Sequence, residues 1–140
     1  MKQFIIAVDF DGTCVEHDYP NVGADVPGAK EVLKNLANSG VLLMLWTMRS
    51  GKGLEDAVNW FKERDIPLWG INENPTQDWS TSHKQYAHLY IDDMALGCPL
   101  TTDSTQRRLM VDWVKVDKWL RAHHFHIEKI HRDDVKTPTN

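Results

Sequence analysis

Four short apolar runs, each closed by polar residues, constrain this chain more than any other feature. Residues 4–8, 41–46, 68–71 and 88–91 have the length and β-rich composition of buried strands. Between them the apolar residues follow helical spacing. Ala29, Val32, Leu33 and Leu36 form one such stripe, with Gly40 where a helix C-terminal glycine belongs. Leu54, Ala57, Val58 and Phe61 form a second, which ends before Pro67. Strands that are apolar on both faces and alternate with helices predict an α/β fold. The expected architecture is a doubly wound parallel sheet with helices on both sides.

The remaining segments are weaker in pattern. Residues 14–27, with Tyr19-Pro20-Asn21, Gly23 and Pro27, read as turn and loop. Residues 80–87 read as a short helix. Trp113, Val116 and Leu120 mark a last helix, with Asp112 as its N-cap. Residues 125–130 read as an extra strand or an ordered tail. The expected organisation is one domain over 1–132 and a frayed tail over 133–140. A chain of 140 residues with 41% apolar content supports one continuous core.

Charge excludes some functions. The net charge of −4 gives no footprint for a nucleic-acid backbone. The distribution is uneven: residues 1–100 hold 8 Lys/Arg against 14 Asp/Glu, and residues 101–140 hold 8 against 6. The first apolar run is too short for a signal-peptide core or a membrane span, so no membrane partner and a reducing cytoplasm are expected. Cys14 and Cys98 are then free thiols, better suited to packing than to nucleophilic chemistry.

In open parallel sheets, ligands bind beyond the carboxyl ends of the strands. All four runs end there on polar side chains: Asp9 and Asp11, Thr47 and Arg49, Asn72 and Asn74, Asp92 and Asp93. Two carboxylates one residue apart at the end of a buried strand repel each other, which raises a pKa or demands a cation. Magnesium accepts a few carboxylate oxygens and keeps water and substrate phosphate as its other ligands. Gly12 permits a sharp turn whose NH groups face an anion. Thr47 offers a hydroxyl donor, and Lys84 a positive charge, to a phosphate. Singly, each has an ordinary reading: acidic turn residues, a loop threonine, a solvated lysine, an N-cap. Together and in this order, those readings lose their force.

Asp9-Phe10-Asp11-Gly12-Thr13 resembles the DxDGT first motif of phosphatases of the haloacid dehalogenase (HAD) superfamily. Leu43-Met44-Leu45-Trp46-Thr47 is similar to the second motif, Lys84 to the lysine of the third, and Leu89-Tyr90-Ile91-Asp92-Asp93 to the fourth. The first and fourth matches are specific; the second and third are carried mainly by position. Residues 95–100 and Val111-Asp112-Trp113 also resemble short HAD-like hydrolases of bacteria and phages.

The resemblance implies a magnesium-dependent phosphomonoester hydrolase on a HAD-type Rossmannoid sheet. Asp9 would be the nucleophile and form an aspartyl-phosphate. Asp11 would be the general acid and base. Asp9, the backbone carbonyl of Asp11, and Asp92 would hold Mg2+, with Asp93 close by. Thr47 and Lys84 would bind the phosphoryl oxygens. Caps in this superfamily are inserted at two places, here residues 14–26 and 72–83. Both stretches are too short for a folded cap, so a capless, open site is expected. Such a site suits small-molecule or macromolecular phosphates, or one covered by a second subunit of a homo-oligomer. Trp46, Trp69 and Trp79 lie near the rim, the first two as core residues and Trp79 as a surface for a ring.

Three rivals remain. A receiver-type signalling domain would place its acidic pair after strand one and an Asp after strand three, which this chain does not. A catalytically silent binding protein is disfavoured by the intact set of motif residues. A nucleic-acid 3′-phosphatase is weakly permitted by the basic stretch 107–132. His123, His124, His126 and His131 read as a solvated helix end rather than a metal site.

Overall fold

The computed structural model describes residues 4–102 and 108–123. The first three strands are β1 (Ile5–Val8), β2 (Leu42–Leu45) and β3 (Gly70–Ile71), followed by β4 (Leu89–Ile91). They form one parallel sheet in the order β3-β2-β1-β4. Helix α1 (Ala29–Asn38) joins β1 to β2, and α2 (Gly51–Glu63) joins β2 to β3. Gly40, at φ +91°, closes α1 as its position predicts, with its NH on the Ala37 carbonyl. After β4 comes an antiparallel pair, β5 (Leu100–Thr101) and β6 (Met110–Val111), then α3 (Trp113–Ala122). Asp112 caps α3 by accepting the Lys115 NH at 3.1 Å.

The alternation of side chains along each strand divides the core. Ile6, Val8, Leu43, Leu45 and Ile91 belong to one cluster with Val32 and Leu33 of α1, Trp60 and Phe61 of α2, and Val116 and Leu120 of α3. Ile5, Ala7 and Met44 belong to another, with Ala87 and the half-buried Leu42 and Trp46. All three described helices therefore pack with the same set of strand residues. The expected second helical layer is absent among the described residues.

The reason lies in residues 72–88, the return from β3 to β4. The short helix expected at 80–87 does not form. Side-chain amides take up the backbone groups there instead. Gln85 accepts the Asn74 NH at 2.8 Å, and Gln77 accepts the Tyr86 NH at 2.7 Å. Asn74 donates to the Tyr86 carbonyl at 3.0 Å, and Gln77 to the Lys84 carbonyl at 3.1 Å. Polar side chains that bond nearby backbone compete with helix formation.

The β5–β6 pair was not anticipated, since two-residue strands carry no periodic signal. It matters for the rim: the Val111 NH reaches the Gly12 carbonyl at 2.9 Å. The 125–130 segment and the tail lie outside the described residues. Among the described residues no helix is long and apolar enough to cross a membrane.

Candidate metal and phosphoryl site

The strand order turns back at β1 and β4. Chain leaving β1 moves through β2 to β3 on one side, and β4 lies on the other. That crevice is where open α/β sheets bind ligands. In register, Val8 pairs with Ile91, and the Asp9 NH extends the ladder to the Ile91 carbonyl at 3.0 Å. Asp9 and Asp92 therefore leave neighbouring strands at the same level. Carboxylate oxygens of Asp9, Asp92 and Asp93 lie within 4.8 Å of one another.

Asp93 is buried, and Asp9 and Asp92 are half-buried. Burial, the charge of Asp92 and a hydrogen bond with Asp93 push the Asp9 carboxyl up to about 8, against an ordinary 3.8. The Thr13 hydroxyl acts in the opposite sense. A cation among these oxygens would remove the repulsion. The donor set is all oxygen and all carboxylate, which fits a hard divalent ion such as Mg2+.

The loop after β1 holds this cluster rigidly. Thr13 is fully buried. Its hydroxyl donates to Asp9 Oδ2 at 3.0 Å and accepts the Asp93 NH at 3.3 Å. Its carbonyl accepts the indole NH of buried Trp113 at 2.7 Å, tying the loop to α3. His17 Nε2 lies 2.8 Å from Asp93 Oδ2. Gly12 sits at φ +80°, and a Cβ there would overlap both His17 Nε2 and Asp93 Oδ2. Only glycine satisfies both conditions.

The other expected residues separate. The Asp11 carboxylate is not in the cluster: its two oxygens accept from Arg49, at 2.8 Å from Nε and 2.7 Å from Nη2. The Asp11 carbonyl accepts no hydrogen bond from a described residue, which leaves it available to a metal. Thr47 is half-buried, with its NH on Asn72 Oδ1 at 2.8 Å. Its hydroxyl oxygen accepts the Arg49 NH at 3.1 Å, so its proton is free for a phosphate oxygen. Lys84 is exposed in the 72–88 segment and forms no ion pair among the described residues.

Trp46 packs with the second core cluster, Trp69 is half-buried, and Trp79 is exposed beside Tyr86. Cys14 and Cys98 are free, and Cys14 is buried with its thiol on the Asp9 carbonyl at 3.4 Å. His123 stacks on Trp119, whereas His124, His126 and His131 lie outside the described residues. Of the basic stretch 107–132, residues 108–123 are described and the others lie outside the described residues.

Sequence reasoning missed the parts played by Thr13, His17 and Trp113. Thr13 carried a signal, because it closes the DxDGT motif. His17 and Trp113 reach the rim only through the fold of the loop and of α3.

Neither a family model nor a curated protein matches the chain. Among solved structures it is similar to a conserved protein from Bacteroides thetaiotaomicron. The two share 34% sequence identity over 86% of this chain and 92% of that one, with a TM-score of 0.71.

Proposed function

The chain belongs to the same family as that conserved Bacteroides thetaiotaomicron protein, and we propose that it is a Mg2+-dependent phosphomonoester hydrolase of the HAD type. The observation that carries this reading is the meeting of Asp9, Asp92 and Asp93 at the β1/β4 crevice, with oxygens within 4.8 Å. The strand order supports a HAD-type Rossmannoid sheet. Residues 14–26 and 72–83 hold no helix, which supports the capless reading.

Asp9, Asp92 and the Asp11 carbonyl would hold Mg2+, with Asp93 steadied by His17 and the Thr13 hydroxyl. The bound ion would neutralise charge so that an anionic nucleophile can meet an anionic ester. Asp9 attacks phosphorus, the phosphorus–oxygen bond to the leaving group breaks, and an aspartyl-phosphate forms. Asp11 gives the leaving oxygen its proton. It then takes a proton from the water that attacks the same phosphorus, and Asp9 is released as a carboxylate. The Thr47 hydroxyl donates to a phosphoryl oxygen. Lys84 would join it from the 72–88 segment.

The test is turnover of p-nitrophenyl phosphate. Activity is expected with Mg2+, less with Ca2+, and none in excess chelator or in Asp9→Asn. Full turnover without a divalent ion, or by a well-folded Asn variant, would refute the assignment.

A further inference from the structure

Arg49 is the buried cation of the rim. Its side chain is 1% exposed, and its donors are all used inside the protein. Besides Asp11, it bonds the Asn21 carbonyl at 2.6 Å and the Pro20 and Gly53 carbonyls at 3.4 Å each. The rings of Phe10 and Tyr19 each lie 5.1 Å from the guanidinium carbon. A guanidinium so saturated has no donor left for a phosphate. It is fixed from β2 by chain connectivity, from α2 by Gly53, and from the 14–27 loop by Pro20 and Asn21. It is thus a rigid post standing between those elements.

What the post holds is Asp11. A planar fork that meets both carboxylate oxygens fixes the plane of the carboxyl as well as its position. The Asp11 side chain keeps 19% exposure, so it borders solvent, unlike the guanidinium behind it. Arg49 also donates its backbone NH to the Thr47 hydroxyl oxygen. One residue therefore aims both the proposed acid, Asp11, and the hydroxyl proposed for a phosphoryl oxygen.

Resting on the hydrolase reading above, we infer that Arg49 is a positioning residue: it orients Asp11 for proton transfer to the leaving oxygen, without binding the phosphoryl group itself. Arg49 acts only through the groups it holds.

Three features follow for Arg49→Lys, which keeps the charge but loses the fork. Its kcat should fall about 10–100-fold with KM within about 3-fold of wild type, a fraction of the 10²–10⁴-fold that general acid–base catalysis supplies. The fall should be larger for an alkyl phosphate than for p-nitrophenyl phosphate, whose leaving group needs no proton. In the Asp11→Asn background the same substitution should have little further effect, because both changes remove one function.

Wild-type kcat in Arg49→Lys, losses that multiply with Asp11→Asn, or a raised KM at unchanged kcat would each overturn the inference. The last outcome would make Arg49 a phosphate ligand. If Arg49→Lys does not fold, Tyr19→Leu carries the test. That ring is 68% exposed, and its removal frees one face of the guanidinium without touching the core. A few-fold loss selective for the alkyl phosphate is expected, and an unchanged substrate ratio would overturn the inference. Wild-type protein without Mg2+-dependent turnover would instead overturn the hydrolase reading on which it rests.

Discussion

The two halves of the rim are built differently. At β1 and β4 the acids are delivered in register by paired strands and locked by buried groups. Thr13 bonds Asp9 and Asp93, Trp113 bonds Thr13, and His17 meets Asp93. At β2 and β3 Thr47 is tied through Asn72 and Arg49, and Arg49 to Asp11 and the 14–27 loop, before the chain enters an exposed segment held by its own amides. Like charges forced together need a rigid frame, since nothing else keeps them from separating. A lysine that meets its anion only when a substrate arrives needs no such frame. On the proposed reading, the contrast separates a preformed cation site from a phosphate contact, at Lys84, that its ligand would complete.

The sharpest way to break the first half is Gly12→Ala. The substitution places a Cβ at φ +80° and drives it into His17 and Asp93. Left-handed strain costs about 1–2 kcal/mol, and overpacking adds about 1–3 kcal/mol. A loss of about 2–5 kcal/mol by chemical denaturation is expected, together with weaker Mg2+ binding by calorimetry. Wild-type stability and affinity in this variant would mean that the frame around Asp93 is not needed.

How much of this was legible in the sequence follows the same division. Asp9, Asp92 and Asp93 were found because a strand end is set by apolar pattern alone, and pairing in register does the rest. Asp11 was found as a residue, but its partner was not. Arg49 was noted at the end of β2, yet its burial depends on Pro20, Asn21 and Gly53 closing round it, and no spacing encodes that. The helix expected at 80–87 failed because Asn74, Gln77 and Gln85 bond backbone locally. Thr13 has no charge to draw notice, though its hydroxyl and carbonyl join Asp9, Asp93 and Trp113. The three helices and four parallel strands were legible; the β5–β6 pair was too short to leave a pattern.

A gentler probe is pH. In the folded, metal-free chain Asp9 holds its proton up to about pH 8, whereas unfolded it would release it near 3.8. Between these values the folded state binds more protons than the unfolded one, so stability falls as pH rises. The contribution is fully present below about pH 4 and is lost as pH passes through about 8. The melting temperature of chelator-treated protein should therefore drop by several degrees across this window. Mg2+ should raise it more at pH 8 than at pH 5, because the ion and the proton compete for the same oxygens. Asp9→Asn should flatten the metal-free profile. A flat wild-type profile would show that the three carboxylates do not repel as their spacing demands.

The smallest effect is expected in the second half, at Lys84. The side chain is exposed and without an ion pair among the described residues, so Lys84→Ala removes no folded contact. Stability should stay within about 0.5 kcal/mol of wild type. What the substitution removes is attraction for an incoming dianion, which salt screens over about 8 Å at physiological ionic strength. KM for p-nitrophenyl phosphate should therefore rise, about 2–10-fold, while kcat changes little, the pattern of lost uniform binding. The rise should shrink as salt is added. Thr47→Val serves as the contrast, since its hydroxyl is already aimed by the Arg49 NH and its backbone held by Asn72, and it should lower kcat at every salt concentration. If Lys84→Ala lowered kcat as strongly as Thr47→Val and without salt dependence, the ammonium would have to sit on the phosphoryl group during the reaction. The 72–88 segment would then close on the ester, and the second half of the rim would be as ordered as the first whenever substrate is bound.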